Sequence, residues 1–191
     1  MSMARLIAAL TSTTVLALAG CAGSGGAEET PLRSYDLGIE APAAKLPPLQ
    51  LRSVRAVRPY DGMEMHYRLA YRDGSELSAY AQSRWAAPPP ELVRKQVARS
   101  IQAGKARCTL DIEVQEFSQI YTAQGTSSAR VELVAALSAS AEGNQSRALR
   151  LSESGGGANA SEGVAAMQRA VAQAVAELAR WIESVPACRG G

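Results

Sequence analysis

The chain has 191 residues, with 20 Lys and Arg against 18 Asp and Glu, one histidine and three cysteines. Near-neutrality removes the electrostatic case for nucleic acid or an anionic membrane surface as partner. A single histidine leaves few routes to acid–base or nucleophilic catalysis, and the length suits one domain with a sizeable core.

Arg5 opens the chain with a positive charge, an uncharged apolar run follows to Leu18, and Leu18-Ala19-Gly20-Cys21 closes it. Charged start, short apolar core and small residues are the order of a secretory signal. The run is shorter than the ~20 residues a membrane span needs. Its end resembles the bacterial lipobox, which implies a signal peptide over 1–20, acylation of the Cys21 thiol and an acyl anchor in the membrane. Several acyl chains hold firmly, at about 0.8 kcal/mol per buried CH₂. Residues 21–34 read as the acylated cysteine and a flexible tether. From Cys21 to Leu32 that tether spans roughly 35 to 40 Å when extended.

Residues 35–188 read as one folded domain. Tyr35-Asp36-Leu37 suggests a short first strand, and the alternating stretch from Leu49 to Val57 a second. Met63, Met65, Tyr67, Leu69 and Tyr71 share one parity, and Leu77, Ala79, Ala81 and Trp85 share it beyond Asp73-Gly74. Even-sum pairing then requires an odd-length loop. A loop over 72–74 puts Gly74 in the left-handed position, whereas one over 73–75 opposes Glu64 with Arg84. Glycine's local preference favours the first. Pro88-Pro89-Pro90 predicts a helix start, with Leu92, Val93, Val97 and Ile101 on its inner face and Gly104 as its stop.

Cys108, Leu110, Ile112 and Val114 alternate with polar residues, and the apolar parity then shifts at Phe117, predicting a bulge or strand end at Gln115-Glu116. Residues 129–139 form the next strand, turned at Glu142-Gly143-Asn144 into Arg147-Leu149-Leu151. A glycine-rich loop over 152–158 leads to a helix from about Ser161 to Val185, capped by Asn159 or Ser161. Its stripe of Val164, Met167, Val171, Ala174, Val175, Leu178, Ile182 and Val185 covers a sheet. The sum is an α+β fold: a largely antiparallel sheet with two helices packed on one face.

Chemistry is sparse along this chain. His66 lies on the polar face of a strand near Asp61 and Glu64, an arrangement that reads as exposed polar surface rather than a catalytic cluster. No Cys/His spacing suits zinc, and Gly155-Gly156-Gly157 lacks the Lys-Ser/Thr ending of a phosphate loop. Catalytic residues, cofactor and metal are therefore expected to be absent. Export places Cys108 and Cys188 where they can pair as a disulfide, two buried thiols being the alternative. Tyr67, Tyr71, Tyr80, Trp85, Tyr121 and Trp181 are candidates to line a groove for an acyl chain or a partner segment. Trp85 and Trp181 lead that set because each sits at an element edge.

Taken together, the lipobox, Tyr35-Asp36-Leu37, Trp85 before Pro88-Pro89, the Leu92/Val93/Val97/Ile101 helix, Val114-Gln115-Glu116-Phe117 and the final Leu178-Ala179-Arg180-Trp181-Ile182 resemble the ABC-type transport auxiliary lipoprotein component family. That resemblance implies a non-enzymatic, periplasm-facing lipoprotein without cofactor. Its implied partners are an MCE-domain protein, an ABC permease and an ATPase that move phospholipid or other hydrophobic molecules between membranes. Phospholipid and further copies of the chain are additional candidate partners, and nucleic acid is not one. Ala22, in place of the aspartate that retains such proteins at the inner membrane of enteric-type bacteria, points to the outer membrane, with inner-membrane anchoring the alternative. A scaffold or envelope-assembly lipoprotein is the competing reading.

Overall fold

The computed structural model describes residues 31–139, 143–157 and 159–189. The expected signal peptide, Cys21 and the tether before Pro31 lie outside them. Seven strands form one mixed sheet: β1 (Arg33–Tyr35), β2 (Gln50–Ala56), β3 (Glu64–Leu69), β4 (Ser78–Trp85), β5 (Cys108–Ala123), β6 (Thr126–Ala139) and β7 (Gly143–Gly155). The helices are α1 (Pro89–Ser100) and α2 (Ala160–Ser184), and a single 3-10 turn follows at Pro186–Cys188. This is the α+β class the sequence indicates. The long β5–β6 and β6–β7 ladders are antiparallel, whereas β2 and β3 both run parallel to β5.

β5 is the axis of the sheet. One edge pairs along its length with β6, and the other carries β2 and then β3, end to end. Between these two the chain leaves the sheet over 57–63, so Ala56 pairs with Val114 and His66 with Ser118. The apolar parity of β5 shifts by a bulge between Val114 and Glu116, and the strand continues through it. Leu110, Ile112 and Val114 before the bulge, and Phe117 after it, therefore all reach the same buried face.

Both helices cover that face, as α1 meets β2 and β5 while α2 meets β6 and β7. All eight stripe residues of α2 and its tail are buried with Leu110, Leu133, Leu137, Leu149 and Leu151 in one core. Asn159 caps α2, its side-chain oxygen accepting from the Glu162 N–H at 3.0 Å. α1 starts behind Pro88 as expected but stops at Ser100, short of Gly104. Ile101 turns extended there to bridge Leu46, whose N–H donates to the Ser100 carbonyl at 2.8 Å while its carbonyl accepts from the Gln102 N–H at 3.0 Å. A backbone pairing competes with the last helical turn and wins.

Two turns depart from the sequence reading. The β3–β4 connection is not the three-residue loop over 72–74: Tyr67 pairs with Ser78, and the chain between Leu69 and Ser78 closes on Asp73, whose carboxylate accepts from the Ser75 N–H and hydroxyl. An aspartate turn of this kind needs no left-handed residue. A register shift then lies between the His66–Ala79 and Glu64–Arg84 pairs, so the inward parity of β4 changes from Tyr80 to Ser83 and Trp85, and Ala79 and Ala81 are exposed. In the β6–β7 hairpin Ala139 pairs with Gly143, so Gly143 and Asn144 belong to β7 rather than to the turn expected at 142–144; residues 140–142 lie outside the described residues. β7 also runs on through Ser152–Gly155, because Gly155 lies opposite Ser127 so closely that a Cβ there would come within 2.6 Å of its hydroxyl.

Candidate functional site

The two tryptophans that lead the groove candidates are core side chains instead. Trp85 ends β4 opposite Tyr35, is 2 % exposed and stacks edge-on against Phe117 at 5.3 Å. Trp181 belongs to the buried face of α2 and is 7 % exposed. An element's edge in sequence is not an edge in space: β1 covers one tryptophan, and the sheet beneath α2 covers the other.

The four tyrosines of the same set do meet. Parallel pairing of β3 with β5 places Tyr67 beside Gln119 and Leu69 beside Tyr121, and the β4 register brings in Tyr80. Tyr67 lies 4.7 Å from Tyr80 between ring centroids, tilted by 43°, and 6.0 Å from Tyr121, nearly perpendicular to it. With Leu69, Tyr71 and the Gln124-Gly125 turn of the β5–β6 hairpin, they line an open cavity of about 380 Å³. Gly125 has φ +75°, a left-handed conformation that glycine takes without a Cβ clash. The cavity lies at the end of the sheet, on the helix-bearing face, where α2 begins.

Behind the rings runs a chain of hydrogen bonds whose direction is determined. Ser127 donates its hydroxyl to the Gly157 carbonyl at 2.8 Å, so it accepts from the Gln119 amide nitrogen at 2.7 Å. That nitrogen also approaches the Asn159 carbonyl at 3.4 Å, which turns the Gln119 amide oxygen toward Tyr80, whose hydroxyl donates to it at 2.8 Å. Tyr80 has then used its one proton, and the 2.5 Å contact with Tyr121 needs Tyr121 to be the donor. Burial raises the pKa of both Tyr80 and Tyr121 above the ordinary phenol, so both stay neutral donors at physiological pH. Gly163 completes the setting: a Cβ there would fall 2.0 Å from the Gln119 amide oxygen.

Gln119, Ser127 and Gly163 escape a reading of the sequence by motif. One trace was available: after the bulge, Phe117, Gln119 and Tyr121 share the inward parity, and Gln119 is the polar residue among them.

His66 faces the other side of the sheet. It meets Tyr60 edge-on at 5.5 Å, near Arg68 and Glu116, whose carboxylate accepts from the Tyr60 hydroxyl at 2.5 Å and from Arg68 at 3.3 Å. Burial lowers the His66 pKa below its ordinary value. Asp61 instead pairs with Arg58 at 3.6 Å, and Glu64 is exposed opposite Arg84. Tyr60, 3 % exposed, holds this cluster under the 57–63 excursion. Further along the same face, Arg52 and Ser53 engage Asp111 and Arg55 engages Glu113, and the hydrogen bond from Arg52 keeps the Asp111 carboxyl below its usual range.

Among the described residues no group of three or more His, Cys, Asp or Glu is placed to hold a metal. No described helix is long and apolar enough to cross a membrane. Cys108, at the start of β5, and Cys188, in the turn after α2, are joined as a disulfide with Cα atoms 5.4 Å apart.

Fold and site define a helix-backed α+β domain whose distinctive surface is an aromatic cavity. The family model of the ABC-type transport auxiliary lipoprotein component matches residues 39–179, and the chain belongs to that family. It is thus an auxiliary lipoprotein of an ABC-type transport system, with the membrane-anchored envelope location that lipoproteins have. A solved Xanthomonas campestris protein of the DUF330 family is similar over 75 % of this chain and 94 % of its own, with 24 % identity and a TM-score of 0.58. A second solved structure, of an uncharacterized protein, is similar over 80 % of this chain and 99 % of its own, with 16 % identity and a TM-score of 0.64. Both likenesses concern the fold. No curated protein matches the chain.

Proposed function

We propose that this protein is the non-enzymatic lipoprotein partner of an MCE-type ABC system that moves phospholipid or a similar hydrophobic molecule between membranes. Acylated Cys21 anchors it, facing the periplasm, in the outer membrane. The observation that carries the reading is the family match over 39–179, which spans most of the described domain. The lipobox-like Leu18-Ala19-Gly20-Cys21 supports the anchor, and Ala22 supports the outer membrane, rather than the inner one, as its address. Energy and pore belong to other subunits in this reading. The task left to this chain is to dock the assembly at the acylated leaflet or to receive lipid there.

The test is a gentle pull-down of the full chain from its native membranes, with subunits identified by mass spectrometry. An MCE-domain subunit and a permease should co-purify. Well-folded bait that brings neither down contradicts the reading. The anchor is tested separately: Cys21→Ala should release the protein from membranes, and a variant still bound after a salt wash rules out acylation at Cys21 as the attachment.

A further inference from the structure

We propose that the tyrosine cavity is a binding site for a primary ammonium group, and that its occupant is the headgroup of an aminophospholipid of the phosphatidylethanolamine class. The identity of the occupant rests on the lipid-transport reading above, and the chemistry rests on the cavity itself.

Three observations select the ligand. The first is the rings: Tyr67 stands nearly perpendicular to Tyr121 and tilted against Tyr80, so aromatic surfaces at differing angles converge on one space. A cation within about 6 Å of such ring centroids is attracted by their negative faces. The second is charge: no described residue lining the cavity is charged, so an anion finds no counter-charge inside, whereas a cation can still be held by the ring faces. The third is hydrogen-bond direction. Tyr80 donates to Gln119 and Tyr121 donates to Tyr80, so the Tyr121 oxygen keeps acceptor capacity while its proton is committed inward. A site that accepts and attracts cations favours an N–H-bearing ammonium. A quaternary ammonium has the charge but nothing to donate.

The rim extends this match to a zwitterion. Tyr71 is 41 % exposed, and the next residue, Arg72, is exposed as well. Leu69 adds apolar wall for the glycerol end, and Arg72, not itself a lining residue but the chain neighbour of Tyr71, is the cation proposed to meet the phosphodiester two carbons from an ethanolamine nitrogen. A cavity of about 380 Å³ exceeds what an ammonium alone would fill and accommodates a headgroup.

The experiment offers the full-length protein, released in mild detergent, an equimolar mixture of short-chain phosphatidylethanolamine, phosphatidylcholine and phosphatidylglycerol, and reads retained lipid by native mass spectrometry. Phosphatidylethanolamine should be retained about tenfold over the other two, the scale of a desolvated cation contact. Tyr121→Phe keeps the ring and loses the acceptor, and should bring phosphatidylethanolamine close to parity with phosphatidylcholine. Tyr71→Ala, at an exposed position that leaves the fold intact, should lower retention severalfold. Equal retention of all three lipids overturns the ammonium site and leaves lipid handling standing. No retained lipid overturns the aminophospholipid as occupant, and so does capture of a lysine-bearing peptide in its place, which would leave the ammonium chemistry but not the lipid. The transport reading fails by a different result, the absence of transport subunits from the membrane pull-down.

Discussion

The two ends of the sheet are closed by different chemistry. At one end β5 begins and the chain finishes, and there Cys108, Leu110 and Leu137 pack with Ile182, Val185 and Cys188 around a covalent link. At the other end α2 begins, and the sheet runs out in tyrosines tied together by a Gln119–Ser127 relay. Apolar packing and a cross-link leave nothing for a ligand to compete with. A polar relay satisfies its own buried groups and leaves aromatic surface of Tyr67, Tyr71 and Tyr80 accessible at the cavity. One end holds the domain shut, and the other leaves a place for binding.

This contrast should appear as separable effects. The largest is at the closed end: Cys108→Ser with Cys188→Ser should cost about 2 to 5 kcal/mol, since the bridge removes a long loop from the unfolded ensemble. Denaturant unfolding checks it, and lipid or partner retention by the variant that remains folded should be unchanged. Gly163→Ala comes next. A helix interior normally gains from this change, but here the methyl displaces the Gln119 amide oxygen, so the variant should lose about 1 to 3 kcal/mol as buried polar groups lose partners. A stabilised Gly163→Ala would break the relay account. Tyr80→Phe removes one donor from that relay and should cost about 1 to 2 kcal/mol in the same assay.

The smallest effects belong to the helix-free face. Arg52→Ala removes an exposed partner of Asp111 and should leave the denaturant midpoint nearly unchanged. His66 is held below its ordinary pKa, so the unfolded chain takes up its proton first as pH falls. Stability should therefore decline as pH drops through the ordinary histidine range, and His66→Gln should flatten that part of the profile.

Much of the fold was legible because its signals are local. Two-residue alternation marked β5 and β6, a parity shift located the bulge at Val114–Glu116, and the α2 stripe named its buried face. What stayed hidden depends on pairing. The parallel placement of β2 and β3 along β5, and the register shift in β4, decide which tyrosines meet, and neither leaves a pattern in one strand alone. The tyrosines could be suspected from composition. That Trp85 and Trp181 lie in the core while Tyr67, Tyr71, Tyr80 and Tyr121 share a cavity follows only from the assembled sheet.

The most direct test of an open end opposite a closed one is site-specific photo-crosslinking in living cells. A benzophenone amino acid replaces Tyr71 at the cavity rim or, as the control, exposed Arg189 beside the disulfide, and adducts are identified by mass spectrometry. Lipid or transport-subunit adducts at position 71, with few at 189, are the predicted result. Equal labelling at both positions, or labelling at 189 alone, would contradict the account.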